Sequence, residues 1–64
     1  MDIITFLKVM IEDEKAAIEK YQLAIDSIDA TGSKKLIGIL EQLRNEEEIH
    51  IDLLEGEISR LEAL

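Results

Sequence analysis

The sequence contains no cysteine and no proline, and its 64 residues include three Gly, one Phe, one Tyr and no Trp. Without cysteine, neither a disulfide bond nor a thiolate metal site can hold the fold together. The scarcity of aromatic residues leaves little for the core of a β-sandwich, or for the aromatic surface on which nucleic-acid bases stack.

Basic residues and long apolar runs are also scarce. Seven Lys and Arg residues stand against fifteen Asp and Glu residues, which gives a formal net charge of −8. This charge argues against nucleic acid or an anionic membrane as a partner and is compatible with cation capture. No apolar run approaches the ~20 residues of a membrane-spanning helix. The segment 1–4 carries an acid where a signal peptide carries basic residues, so we expect a cytoplasmic protein.

The length limits how the fold can be stabilised. A single domain, 1–64, is expected, and a chain of this size buries only about 60% of the surface that it exposes when unfolded. Small scaffolds without disulfides usually rely on a metal ion, on oligomerisation or on unusually good helix packing.

The spacing of apolar residues predicts an all-α fold, with helices over about 2–29 and 34–62 and a turn over about 30–33. Asp2 is expected to cap the first helix and Ser33 the second, while Gly32 offers the left-handed conformation that ends a helix. The apolar stripe of the first helix comprises Leu7, Met10, Ile11, Ala17, Ile18, Tyr21, Ala24, Ile25 and Ile28. That of the second comprises Leu36, Leu40, Leu43, Leu54, Ile58 and Leu61.

Ionisable residues interrupt both stripes near their centres. Between Leu43 and Leu54, the three-or-four spacing falls on Glu47 and His50, and in the first helix it falls on Glu14. Burial of such groups without partners costs several kcal/mol. A metal ion is a partner that suits both carboxylate and imidazole.

An antiparallel hairpin would bring these three side chains together. Positions 14 and 47 are equally distant from the middle of the turn, so Glu14 should lie level with Glu47, and His50 one turn further from the loop. With ten glutamates in the chain, the Glu47-x-x-His50 spacing alone is weak evidence. The alternative is a metal-free hairpin in which His50 is a hydrogen-bonded core residue and Glu14 a boundary residue.

One hairpin would leave such a site half open and its apolar stripe half uncovered. A two-fold homodimer would form a four-helix bundle with four carboxylates and two histidines around its axis. Two divalent ions would balance the four negative charges, whereas without metal the carboxylates would repel one another.

Two segments resemble the signatures of the ferritin-like di-iron carboxylate superfamily, which includes bacterioferritins, rubrerythrins and encapsulated ferritins. They are Glu14 with Tyr21 seven residues later, and Glu47-x-x-His50, within a similarity that spans about 9–58. The resemblance implies that Glu14 and His50 are terminal iron ligands and that Glu47 bridges two irons. Tyr21 would supply electrons or hydrogen-bond near the irons, although a core tyrosine with a hydrogen-bonded hydroxyl is an equal alternative.

The resemblance implies ferroxidase-like activity, in which dioxygen oxidises two Fe(II) bound per dimer, with Zn or Mn as substitutes for iron. The alternatives are rubrerythrin-like peroxide reduction at the same centre, or a metal-free helical dimerisation module whose polar core residues set register. The chain departs from the family in having two helices instead of four, and no rubredoxin-like cysteine pair. We see no fifth helix or capsid-targeting tail, so we expect the resemblance to extend to the bundle only. A homodimer or larger homo-oligomer is expected, with the electron donor and any enclosing shell left open.

Overall fold

The computed structural model describes residues 2–29 and 32–64 and is an antiparallel hairpin of two packed helices. Helix α1 spans Ile3–Asp29 and helix α2 spans Lys34–Glu62. The sequence predicted helices over about 2–29 and 34–62. No strand occurs in the described part of the chain, and the all-α prediction is confirmed.

Asp2 caps α1, as predicted. Its Oδ1 atom accepts hydrogen bonds from the backbone N–H groups of Ile4, at 2.9 Å, and Thr5, at 3.3 Å. The Thr5 hydroxyl donates to the other carboxylate oxygen. These bonds, that of the Thr5 hydroxyl foremost, hold the pKa of Asp2 below its ordinary value. The negative charge also lies at the positive end of the helix dipole.

This cap predicts a pH-dependent stability. Because the pKa of Asp2 is lowered on folding, the ionised cap stabilises the fold above the unfolded-state pKa. The stabilisation disappears as pH falls through the lowered folded-state pKa. We expect Asp2→Ala to lower the melting temperature at neutral pH, and the difference from wild type to shrink on acidification. Thermal melts followed by circular dichroism check this, and a difference that persists in strong acid would contradict it. Asp2→Asn, which keeps a capping oxygen, is the control.

The connection between the helices agrees with the sequence at Gly32 and differs at Ser33. Gly32 has a φ of 75°, in the left-handed region, and its carbonyl accepts a hydrogen bond from the Lys34 N–H at 2.9 Å. Ser33 occupies the N-cap position of α2, but its side chain makes no capping hydrogen bond. The predicted side-chain cap at Ser33 is therefore wrong. Its ψ of 83° is less extended than the backbone that usually directs an N-cap hydroxyl towards the free amides. The rest of the predicted turn, 30–31, lies outside the described residues.

The line of contact between the helices forms a small core. Ile11, Ile25 and Ile58 are its buried apolar side chains among the described residues, and all three lie on the predicted stripes. Leu36, also predicted there, is 42% exposed. It belongs to the first turn of α2, at the end of the hairpin, where fewer neighbours cover it. Two helices alone bury only the side chains that point directly at each other.

The hairpin is a single layer of helices. Its Cα atoms extend over 50 × 17 × 10 Å, and its accessible surface of 4728 Å² exceeds the roughly 4,200 Å² expected for a compact chain of this mass. Large apolar side chains are exposed at Ile3, Phe6, Val9, Leu23, Leu36, Ile39, Ile49, Leu53 and Leu64. Stable domains usually pack at least two layers around one core, so this layer has a face that lacks a cover. Neither described helix contains a stretch that is long and apolar enough to cross a membrane.

Candidate metal centre

The two broad faces of the hairpin differ in chemistry. One, which we call the charged face, has a groove lined partly by Lys8, Glu12, Lys15, Glu55 and Ser59. The other, which we call the site face, has a concavity of about 240 Å³ lined by Met10, Glu14, His50, Leu53 and Leu54. The helical spacing continues the site face through further apolar residues, namely Ile3, Phe6, Ala17 and Tyr21 of α1 and Ile39 and Leu43 of α2.

Glu14, Glu47 and His50 converge at the site face from two helices. Each residue offers one ligand atom, and these atoms lie within 4.8 Å of one another. His50 Nδ1 is 3.5 Å from Glu14 Oε2 and 3.6 Å from Glu47 Oε2. The antiparallel register therefore brings position 14 level with position 47, and the sequence prediction that these three side chains meet is confirmed as geometry. Their role as metal ligands stays a prediction.

The distances from His50 Nδ1 to the two glutamate oxygens fit a shared metal ion better than direct hydrogen bonds. A distance of 3.5 or 3.6 Å is longer than an ordinary N–H···O hydrogen bond. Two donors about 2.1 Å from a shared ion lie about 3.0 to 4.2 Å apart. The two measured His50–glutamate distances fall inside this range. All three ligand atoms lie within 4.8 Å of one another. Rotation of the side chains that moves a ligand atom by less than about one ångström would bring every separation into this range.

Burial is unequal across the centre. The Glu14 side chain is 24% exposed, that of Glu47 20%, and that of His50 51%. The expectation that His50 lies in the buried stripe is therefore wrong for the single hairpin. Three residues further along α2, His50 is rotated by about 60° from Glu47 around the helix axis, so it lies at the edge of the helix–helix contact. The two carboxylates are mostly covered, whereas the imidazole is half-exposed.

Apolar side chains surround the three polar groups. Met10 lies one turn before Glu14 on α1, and Leu53 and Leu54 follow His50 on α2. The sequence placed Met10 and Leu54 on the apolar stripes but did not predict that they line the metal centre. Leu53 was not predicted on either stripe. The signal that could have found them is the spacing of three and four from the two ligands. Such a wall limits water around a bound ion, which strengthens its electrostatic interactions.

Tyr21 is half-buried and lies two helical turns beyond Glu14. No hydrogen bond or ion pair among the described residues connects it to Glu14, Glu47 or His50. The structure therefore brings together the three predicted ligands but leaves Tyr21 outside that cluster.

A hydrogen bond between side chains connects the two helices at a point closer to the turn than the metal centre. Arg44 Nη1 donates a hydrogen bond to Gln22 Oε1 at 2.7 Å, and Gln22 Nε2 donates to Asp26 Oδ1 at 2.9 Å. Side chains on a helix lean towards its N-terminus, so Arg44 reaches towards the turn and meets Gln22. This contact opposes sliding of one helix along the other, a movement that would separate Glu14 from Glu47.

Comparisons of this chain with protein-family models, with curated proteins and with solved structures found no match. The resemblance to ferritin-like proteins therefore rests on the residues and spacings within 14–21 and 47–50 alone.

The donor set can hold a divalent cation. Glutamate oxygens and a histidine nitrogen are ligands that iron, zinc and manganese all accept. Three donors from one chain leave coordination positions open on the side where His50 is exposed. Among the described side chains, those of residues 2–28 and 32–64, no second group of three carboxylates or imidazoles has this geometry.

Proposed function

We propose that this protein is a homodimeric di-iron protein with ferroxidase-like activity, which oxidises Fe(II) with dioxygen at a centre shared between two hairpins. The observation that carries this proposal is the convergence of Glu14, Glu47 and His50, whose ligand atoms lie within 4.8 Å of one another. They stand on the exposed, largely apolar face of a single helical layer.

The second copy is needed for two physical reasons. The His50 side chain is 51% exposed, so the three ligands of one chain do not enclose an ion. Exposed Phe6, Ile39 and Leu53 on the same face also lack a cover. With Cα extents of 50 × 17 Å, each face is broad enough for an interface of standard size.

A two-fold dimer through the site face would form a four-helix bundle with two copies of the ligand set. Four glutamates and two histidines would then surround two Fe(II) ions, whose charges balance the four carboxylates. The charged face, with Lys8, Glu12 and Lys15, would remain in contact with solvent. The assignment of Glu47 as the bridging ligand, and of Glu14 and His50 as terminal ligands, follows the ferritin-like resemblance.

The chemistry that we propose treats Fe(II) and dioxygen as substrates. Glu14, Glu47 and His50 of each chain would hold the two ions, and carboxylates tolerate both the ferrous and the ferric state. The apolar wall of Met10, Leu53 and Leu54 keeps bulk water away during electron transfer to dioxygen. The two-electron reduction of dioxygen needs no electron from Tyr21, which lies two turns along α1; the resemblance implies that it would hydrogen-bond near the irons or supply electrons.

The decisive test mixes the protein with Fe(II) in air. Wild type is expected to oxidise iron faster than buffer, with new near-ultraviolet absorbance from protein-bound Fe(III). Combined replacement of Glu14, Glu47 and His50 by apolar residues should abolish both signals. This variant should still fold at least as well without metal, because it removes the repulsion among clustered carboxylates.

The matched control removes two carboxylates from the opposite side of the hairpin. Glu12→Gln combined with Glu55→Gln changes the charged face and should oxidise iron at the wild-type rate. If wild type oxidises Fe(II) no faster than buffer while remaining dimeric, ferroxidase activity is refuted.

That negative outcome would favour a metal-free dimerisation module, which the exposed apolar residues of the site face support independently of any ion. Buried polar residues would then serve to set the register of the two hairpins. A second arm of the assay replaces dioxygen by hydrogen peroxide under anaerobic conditions. If the protein accelerates oxidation of Fe(II) over a protein-free control more with peroxide than with dioxygen, the centre is assigned to peroxide reduction.

A further inference from the structure

We propose that Met10 is a modification site: its thioether takes one oxygen atom from the hydrogen peroxide formed at the metal centre and becomes methionine sulfoxide. This inference rests on the proposed ferroxidase-like function. It concerns a residue that is not one of the three ligands, and it predicts a covalent product that can be measured independently of iron oxidation.

The position of Met10 carries the inference. It lines the same concavity of about 240 Å³ as Glu14 and His50, one helical turn from Glu14. Leu53 and Leu54, the other wall residues, have no group that peroxide oxidises. A product released from the centre therefore forms within the concavity that the Met10 side chain lines.

The composition of the chain strengthens this argument. There is no cysteine, and the sequence contains only one other methionine, Met1. A cysteine thiolate would react with peroxide more readily than a thioether does. Because the chain has no cysteine, no thiol competes with Met10 for peroxide. Met10 is also half-buried, so an oxidant in bulk solution reaches it less readily than it reaches an exposed side chain.

The reaction balances in atoms and electrons. Two Fe(II) each give one electron to dioxygen, which takes up two protons and becomes hydrogen peroxide. The Met10 sulfur then forms a bond to one peroxide oxygen and loses two electrons, while the O–O bond breaks. The second oxygen leaves with both protons as water.

The product changes the wall of the centre. A sulfoxide is polar, whereas the thioether is apolar and flexible. Oxidation of Met10 therefore places a polar group on the face that we propose to be covered by the second copy. We expect the oxidised dimer to dissociate more readily than the reduced one.

The test compares Met10 with a reporter methionine on the same chain. Leu23→Met supplies the reporter, because Leu23 is 67% exposed and lies nine residues from Glu14. The protein receives two Fe(II) per dimer in air, with catalase in solution to destroy escaped peroxide. Peptide mass spectrometry then measures the gain of one oxygen atom at each position, and iron oxidation is followed in the same sample. A parallel sample receives hydrogen peroxide without iron or catalase.

We expect the more rapidly oxidised methionine to differ between the two samples. Bulk peroxide should oxidise the exposed reporter faster, whereas iron and air should oxidise Met10 faster. Proximity should shift the ratio of Met10 to reporter oxidation by at least about tenfold between the samples. Met10→Leu should release more peroxide per iron oxidised when catalase is omitted.

Two results would overturn the inference while leaving the proposed function intact. One is rapid iron oxidation without preferential oxidation of Met10. The other is an equal preference for Met10 in the iron-free sample, which would show ordinary reactivity instead of delivery from the centre. Iron oxidation no faster than in buffer would refute the proposed function and this inference together.

Discussion

Glu47→Gln is expected to abolish binding of both metal ions of the dimer, although it changes one side-chain atom per chain. The ferritin-like resemblance implies that Glu47 would hold both ions, so its loss would affect each of them. Glu47 is also the least exposed of the three proposed ligands, at 20%, and a neutral amide there would remove a negative charge that favours cation binding. We expect affinity to fall by more than about 100-fold, beyond the usual effect of groups that only support a ligand.

Metal titration combined with native mass measurement checks this prediction. Wild type should bind two ions per dimer. The control is Glu55→Gln, which removes one carboxylate of the same helix from the charged face. This control should bind like wild type. One ion held tightly by a monomeric chain would contradict the shared centre, and an unchanged affinity in Glu47→Gln would exclude Glu47 as a ligand.

Metal ions should also raise the thermal stability strongly. A ligand that binds only the folded dimer stabilises it by about 4 kcal/mol at a thousandfold excess over its dissociation constant. For a bundle of this size, the melting temperature should rise by on the order of 15 °C. Because the core built on Ile11, Ile25 and Ile58 is small, a bound metal would contribute a large part of the total stability.

His50→Ala separates this effect from general ion binding by an acidic protein. The variant should lose most of the rise in melting temperature with Fe(II) or Zn(II), whereas Glu55→Gln on the charged face should keep it. Melting curves must be recorded at one protein concentration, because dissociation of a dimer depends on concentration. Equal responses of wild type and His50→Ala to metal would show that His50 is not a ligand.

The sequence was sufficient to predict the hairpin and most of its geometry. Helical periodicity identifies the side of each helix that is covered, which is why Ile11, Ile25 and Ile58 were found in advance. The antiparallel register followed from the short turn. When the turn is short, residues that are equally far from it along the sequence lie side by side on the two helices. That simple relation brought Glu14 level with Glu47.

Other features depended on how the two helices pack. Periodicity gives the angle of a side chain around its own helix, but not how far the neighbouring helix covers it. His50 therefore proved half-exposed, and Leu36 remained uncovered. The Ser33 side chain did not cap α2, since capping depends on a ψ angle that residue type alone does not fix.

The sequence by itself determined two amphipathic helices, their register, and the three side chains that meet between them, because these follow from spacing along a regular helix. Only the tertiary structure decided how far each of the three side chains is covered, and that the open side of the centre coincides with the exposed apolar side chains of the same face. The reason is that a face of the hairpin is formed by two helices together, and the relative rotation of their axes is set by the packing of the core.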